Sequence, residues 1–156
     1  MDSPTGSRIS MKLSPRRIVL FVQAFCCLCA IHRILERDGF AGARRRYLRA
    51  WKPRSHALVH DASLVRDVEW AVLQACAWQW KRSVCLHRSL ATYALLQAVG
   101  ARPRFVMAIA NRPFASHAWT ELDGQPVADA TMNESRYLYK PVLCVPNEPA
   151  KRACIS

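Results

Sequence analysis

Cys85 lies in the stretch SVCLHRSLATY (residues 83–93), where a helical apolar pattern begins. With Ser83 as N-cap, the thiol falls in the first helical turn, where unpaired N–H groups and the helix dipole favour negative charge. A thiol so placed has its pKa lowered, and Lys81, Arg82, His87 and Arg88 add positive charge nearby. Taken alone, one cysteine among seven reads as a small core residue. His117 and Asp129 change that reading. An imidazole beside the thiol takes its proton, a carboxylate fixes the imidazole's tautomer, and the thiolate attacks a carbonyl carbon. The N–H of Cys85 would point toward the oxyanion that forms. Gln79, six residues earlier, is a candidate second oxyanion donor, with an ordinary helix-end glutamine as the alternative.

The elements that must position these groups follow from periodicity. Leu64, Val68, Val72 and Cys76, widened by Ala71 and Ala75, predict an amphipathic helix that starts at Asp61 or Ser63 and ends near Trp80. From Val84 onward, Leu86, Leu90, Tyr93 and Ala94 predict the Cys85 helix, stopped at Gly100 and Pro103. The pattern then alternates. Residues 104–110, 117–121 and 125–130 are strand candidates, and residues 136–145 form a last edge segment because Pro141 bars a central position. The predicted class is α+β, helices first and then a small antiparallel sheet packed on the Cys85 helix.

The turn at residues 122–124 decides the chemistry. A three-residue loop, Leu122-Asp123-Gly124, sets Glu121 opposite Gln125 and His117 opposite Asp129, with Gly124 in the left-handed position. Opposed residues share a sheet face. The competing Asp-Gly two-residue turn puts the two side chains on opposite faces. The first register is preferred, because it completes a triad with Cys85.

At 156 residues the chain suits one domain with a real core. Three segments are read: a polar lead-in (1–14), a basic helical segment (15–60) and a catalytic domain (61–156). The first 60 residues carry 12 Lys/Arg against 3 Asp/Glu, a surplus of 9 in a chain whose formal charge is +12. Such a block suits an acidic partner, anionic lipid, or simply a solvated face; nucleic acid is disfavoured, since the charge is not interleaved with aromatics. A helix is expected from Pro15 to Arg37, interrupted at Asp38-Gly39, with a second short basic helix over 41–51 and a linker over 52–61. The apolar run Ile18–Ile31 is shorter than the roughly 20 residues a membrane span needs. Packing on the domain or a partner, peripheral membrane contact through residues 15–37, and a cleaved signal all stay open. Cys26, Cys27 and Cys29 contain a C-x-x-C without a second pair, so they read as small buried hydrophobes in a reducing compartment. A cytoplasmic protein without metal is expected.

The stretch from Cys85 to Ala130, with C-L-x-R-S-L-A, a Gly-ended helix, a strand, F-x-x-H-A-W-x-E, a Gly turn and an Asp, resembles the transglutaminase-like cysteine proteases that mature lasso peptides. The resemblance covers roughly residues 61–140. It implies a transglutaminase-like core of the papain-like superfamily and a Cys-His-Asp triad at Cys85, His117 and Asp129. The implied activity is removal of the leader from a ribosomally made precursor, with no cofactor. Implied partners are that precursor, an ATP-dependent cyclase of asparagine-synthetase type, and a separate small leader-recognition protein, since residues 1–60 lack the strands of a leader-binding domain. Arg88, Ser89, Phe114 and Trp119 belong to the resembling motifs; Phe114 and Trp119 are candidates to line the substrate groove, with core packing as the alternative. The local papain signature, H-E-x-x-H and G-x-S-x-G are absent, as is a phosphate-binding glycine loop. A transglutaminase-like acyltransferase and a non-catalytic basic adaptor are the competing functions.

Overall fold

The computed structural model describes residues 14–48, 61–79, 84–111 and 114–146. The lead-in before Ser14, the linker before Asp61, and Ser83 with its neighbours Lys81 and Arg82 lie outside them.

Helix α1 (Pro15–Tyr47) begins as its sequence dictates: Pro15 occupies the first turn, and the Ser14 hydroxyl accepts the Arg17 N–H at 3.3 Å. The expected interruption is a kink. Gly39 adopts φ 63° and ψ −165°, outside helical space, and the helix then resumes to Tyr47. The inner face of α1, Leu20, Ala24, Leu28 and Ile31, is buried in one cluster with the following two helices. Each of its Leu and Ile side chains contributes on the order of 1.5–3 kcal/mol by leaving water. The opposite face, including Ile18, Val19, Val22 and Cys26, is exposed. The expected buried trio is therefore not seen: the 3.6-residue period turns Cys26 outward, and Cys27 and Cys29 are only partly buried.

Helix α2 (Ala62–Trp78) is capped by Asp61, whose carboxylate accepts the Ser63 N–H at 2.8 Å. Val68, Ala71, Val72 and Ala75 are fully buried, the stripe the sequence predicts. An ion cluster ties α2 to the start of α1. Asp67, only 4% exposed, accepts from Arg17 Nε at 2.6 Å and from the Arg16 guanidinium, and Arg17 also stacks over the Trp70 ring. Burial alone would raise the Asp67 pKa, but the two arginines outweigh it and hold the carboxyl below its ordinary value.

Helix α3 (Cys85–Ala98) runs through the centre, with α1 and α2 on one side and the sheet on the other. Leu90, Tyr93 and Leu96 are fully buried, and so is Thr92. Its hydroxyl donates to the Arg88 carbonyl at 2.9 Å, which makes the burial affordable. The helix closes at Gly100, where the Ala101 N–H reaches back to the Leu96 carbonyl at 2.9 Å.

Strands β1 (Arg104–Asn111), β2 (Phe114–Leu122), β3 (Gln125–Val127) and β4 (Lys140–Val145) form an antiparallel sheet in the order β3-β2-β1-β4. A short helix α4 (Met132–Ser135) and a 3-10 turn (Arg136–Leu138) precede β4, so the last strand is shorter than its predicted segment. Pro141 does sit on an edge strand, and the register slips beside it, with Met107 opposite Leu143 and Ala108 opposite Pro141. Thr120 faces α3, its hydroxyl donating to the Ser89 carbonyl at 2.8 Å. The other face carries a second cluster of Val106, Ala108, Trp119 and Met132.

Candidate active site

The nucleophile position comes first. Cys85 is the first residue of α3, with Val84 as N-cap and no side-chain cap, so the thiol lies in the first turn with unpaired helix N–H groups around it. It is half-buried. A hydrogen bond with His117 is the main influence on its acidity. Aided by the backbone N–H groups of Ala118 and Leu86, it holds the thiol below its ordinary pKa against the opposing effect of burial.

The Ala118 N–H is free to do this because of where β3 stops. Leu122 opposes Gln125 across the turn and Thr120 opposes Val127, after which β3 ends. In a two-residue hairpin these are the hydrogen-bonded pairs, so the backbone of Ala118 also points to the β3 side, where the strand has run out. The sulfur occupies that edge.

This register corrects the predicted one. The loop has two residues, Asp123 (φ 50°) and Gly124 (φ 79°), both left-handed, as a type I′ turn requires. Its continuation would set Asp129 opposite Ala118, on the face away from His117. Ala128 breaks the alternation. Its φ of 59° takes the chain out of the strand, and Asp129 turns to meet His117 after all. The Ala128 N–H is received by Glu69 Oε1 of α2 at 3.0 Å, which anchors the bend.

His117 Nε2 lies 2.7 Å from Asp129 Oδ2, leaving Nδ1 for the thiol. Asp129 is 5% exposed and has its lone pairs shared out: Thr131 donates to Oδ1 at 2.6 Å, and Arg88 Nη2 donates to Oδ2 at 2.7 Å. Burial acts to raise the pKa of this carboxyl, but the bonds from His117 and Thr131 and the charge of Arg88 prevail and bring it to about 2. The hydrogen bond to Asp129, then that to Cys85, raises His117 to about 9 despite its burial. The His117 ring is flanked by Trp119 and Tyr139, with centroids 6.1 and 6.0 Å away. The lowered thiol and the raised imidazole both favour the thiolate–imidazolium pair, the state from which a cysteine nucleophile attacks a carbonyl, over the neutral one.

The other predicted site residues divide. Phe114 is 78% exposed at the start of β2, three residues before His117, and is free to touch a ligand. Trp119 is not: it is 4% exposed, packs in the second cluster and donates its indole N–H to Glu121 Oε1 at 2.8 Å. Period two puts it on the covered face of β2. Gln79, the C-cap of α2, turns its amide toward α1, reaching the Phe25 carbonyl at 3.4 Å and the Cys29 sulfur at 3.5 Å. Those contacts do not serve an oxyanion at Cys85. Two contributors, Thr131 and Glu69, escaped sequence reasoning, and a third, Arg88, is read from the sequence only as nearby positive charge and as part of the resembling motif. Arg88 had a detectable signal, one turn after Cys85 on the same helix face. Thr131 had a weaker one in the Asp-x-Thr pattern, where a hydroxyl bonds a nearby carboxylate. Glu69, contributed by a distant helix, had none. Among the described residues no group of three or more His, Cys, Asp and Glu is placed to hold a metal.

Residues 25–143, more than three-quarters of the chain, match the family described as the Transglutaminase-like superfamily. The chain belongs to the transglutaminase-like superfamily. No curated protein and no solved structure matches it. The match begins inside α1 and runs into β4, so it takes in every element that carries the Cys85, His117 and Asp129 cluster. Transglutaminase-like proteins are usually cysteine-dependent enzymes of protease or acyltransferase kind, and helices packed on a small antiparallel sheet fit that core.

Proposed function

We propose that this transglutaminase-like protein is a cysteine peptidase that removes the leader from a ribosomally made lasso peptide precursor. The reading is carried by one observation: a first-turn thiol hydrogen-bonded to a histidine whose other ring nitrogen is held 2.7 Å from a buried carboxylate. The order of motifs in the sequence, with C-L-x-R-S-L-A before F-x-x-H-A-W-x-E, supports the choice of substrate. In this mechanism the Cys85 thiolate attacks the scissile carbonyl, and His117 gives its proton to the departing amine of the core peptide. Water, activated by the then neutral His117, hydrolyses the thioester and frees the leader. The first-turn N–H groups face the developing oxyanion, and exposed Phe114 contacts the peptide beside the cut. A separate leader-recognition protein presents the precursor, and an ATP-dependent cyclase of asparagine-synthetase type uses the freed amine.

Incubating the protein with a lasso precursor, with and without a leader-binding partner, and weighing the products tests this. Cys85→Ala is expected to abolish leader release while the thermal melt stays within a few degrees of the parent's; cleavage at the parent rate by this variant refutes the proposal. The superfamily favours a second reading, acyl transfer to an amine, because the same thioester partitions between water and amines. Incorporation of an added amine in place of water identifies it.

A further inference from the structure

The outward face of α1 has no role in the chemistry, and it is unusual for a helix packed on a core. Only 28% of its most apolar stretch is buried within the molecule. Ile18, Val19 and Val22 are 46%, 55% and 53% exposed, and Cys26 follows them in the open. Ile18, Val22, Cys26, Arg33 and Arg37 succeed one another at steps of four, four, seven and four, which keeps them on one side of a helix. The same face is thus aliphatic for its first three turns and then carries Arg33 and Arg37 with Glu36 between them.

Beyond the Gly39 kink the cationic end widens. Arg33 and Arg37 line a cleft of about 620 Å³ with Asp38 and with Arg45 and Arg46 of the second helical segment, and Arg44 lines a second cleft that shares Arg45. Across residues 14–48 seven arginines stand against Glu36 and Asp38, a surplus of five. Two of the seven, Arg16 and Arg17, are engaged by Asp67. The other five, Arg33, Arg37, Arg44, Arg45 and Arg46, lie on either side of the kink, where Asp38 meets Arg37 at 3.9 Å.

We propose that this face docks the protein on an anionic lipid surface, with Ile18, Val19, Val22 and Cys26 entering the boundary between headgroups and acyl chains and the arginines of the kink meeting lipid phosphates. The chemistry on each part of the face matches one layer of such a surface: aliphatic side chains for the acyl boundary, guanidinium groups for phosphate. A lipid surface also adapts to a convex helix, whereas a protein partner would have to supply pockets for short aliphatic anchors. The helix lies on the surface without crossing it, because its inner face, with Leu28 and Ile31 fully covered, stays committed to α2 and α3. The docking holds whether or not Cys85 acts on a leader.

The test is flotation of the full chain with vesicles of phosphatidylcholine alone and of phosphatidylcholine mixed with phosphatidylglycerol. Binding is expected only with phosphatidylglycerol and is expected to weaken as salt rises. Val19→Gln with Val22→Gln is expected to weaken binding about tenfold or more by removing the inserted area. Arg33→Gln with Arg37→Gln is expected to cost about tenfold or more and to flatten the salt dependence. All four positions are exposed, so thermal melts of both double variants should match the parent's. Failure of the parent to float with anionic vesicles, or equal binding by parent and both variants, overturns the proposal. So does a self-associating parent whose dimer Val19→Gln with Val22→Gln dissolves, which would make the strip a contact between copies of this chain.

Discussion

Asp129→Asn preserves the shape of the side chain and removes its charge, so it isolates what the carboxylate does for His117. The histidine is held at about 9 against an ordinary 6.5. That gap corresponds to roughly 3 kcal/mol of preference for the imidazolium. The hydrogen bond to Asp129 is the largest cause and that to Cys85 the second. Removing the charge should therefore bring His117 down through the range from about 9 toward its ordinary 6.5. The thiolate loses its cation over the same range, so the pH at which Cys85 becomes reactive moves up toward the ordinary thiol value of roughly 8.5. Alkylation by iodoacetamide, followed on the Cys85 peptide by mass spectrometry so that the other cysteines do not interfere, measures this without a substrate. Near pH 8, where the parent's imidazole is still charged and the variant's is losing its proton, the variant is expected to react more slowly, and any peptidase rate should fall by about 10²–10⁴. The stability linkage has a definite sign. The raised His117 contributes stability that is whole below pH 6.5 and is lost as pH rises through about 9. The depressed Asp129 contributes stability present above 3.8 and lost as pH falls through about 2. The difference in urea stability between parent and variant should thus be widest from about pH 4 to 6.5 and narrow as pH rises through about 9, where Thr131 and Arg88 still hold the Asp129 carboxylate. An unchanged alkylation profile together with an unchanged stability difference across that range would refute the coupling.

Two further substitutions probe the scaffold. Asp67→Asn leaves the two arginines at the start of α1 without their buried anion, and a loss of about 1–3 kcal/mol in urea unfolding is expected. Because the Asp67 carboxyl is held low, the parent's advantage is present at neutral pH and disappears as acid titrates it; an equal midpoint for the two proteins at pH 7 counts against the ion cluster. Ala128→Val places a β-branched residue at φ 59°, at an expected cost of about 1–3 kcal/mol. It should also slow Cys85 alkylation by moving Asp129, whereas Ala128→Gly keeps the alkylation profile. Loss of stability with an untouched profile would mean that this bend does not place Asp129.

The helices were legible because their signals are local. Asp61 announced α2, Val68 and Val72 its buried stripe, and Gly100 the stop of α3. The edge position of β4 was legible for the same reason, since Pro141 cannot serve a central strand. Burial on both sides was harder to read: Trp119 alternates correctly, but only the packing of Met132 and Tyr139 decides that its face of the sheet is covered. For Gln79, spacing along the chain left the oxyanion donor and the ordinary helix-end glutamine both open, because it says nothing of α1, a helix fifty residues away that engages its amide.

The meeting of His117 and Asp129 was anticipated through a register the protein does not use, and the reason bears on how the site works. Alternation along a strand is a strong rule only while the strand is paired. Once β3 ends at Val127, Ala128 is released from the ladder, and Glu69 receives its N–H in place of a strand partner. The same ending exposes the Ala118 N–H to the Cys85 sulfur. One short strand therefore does two things: it frees the donor that helps hold the thiolate, and it frees the chain to swing Asp129 behind His117. A longer β3 would cover Ala118 and, by restoring alternation, carry Asp129 to the wrong face. The brevity of β3 is thus a requirement of the site, and Ala128, with no chemistry of its own, is the position on which the triad's geometry turns.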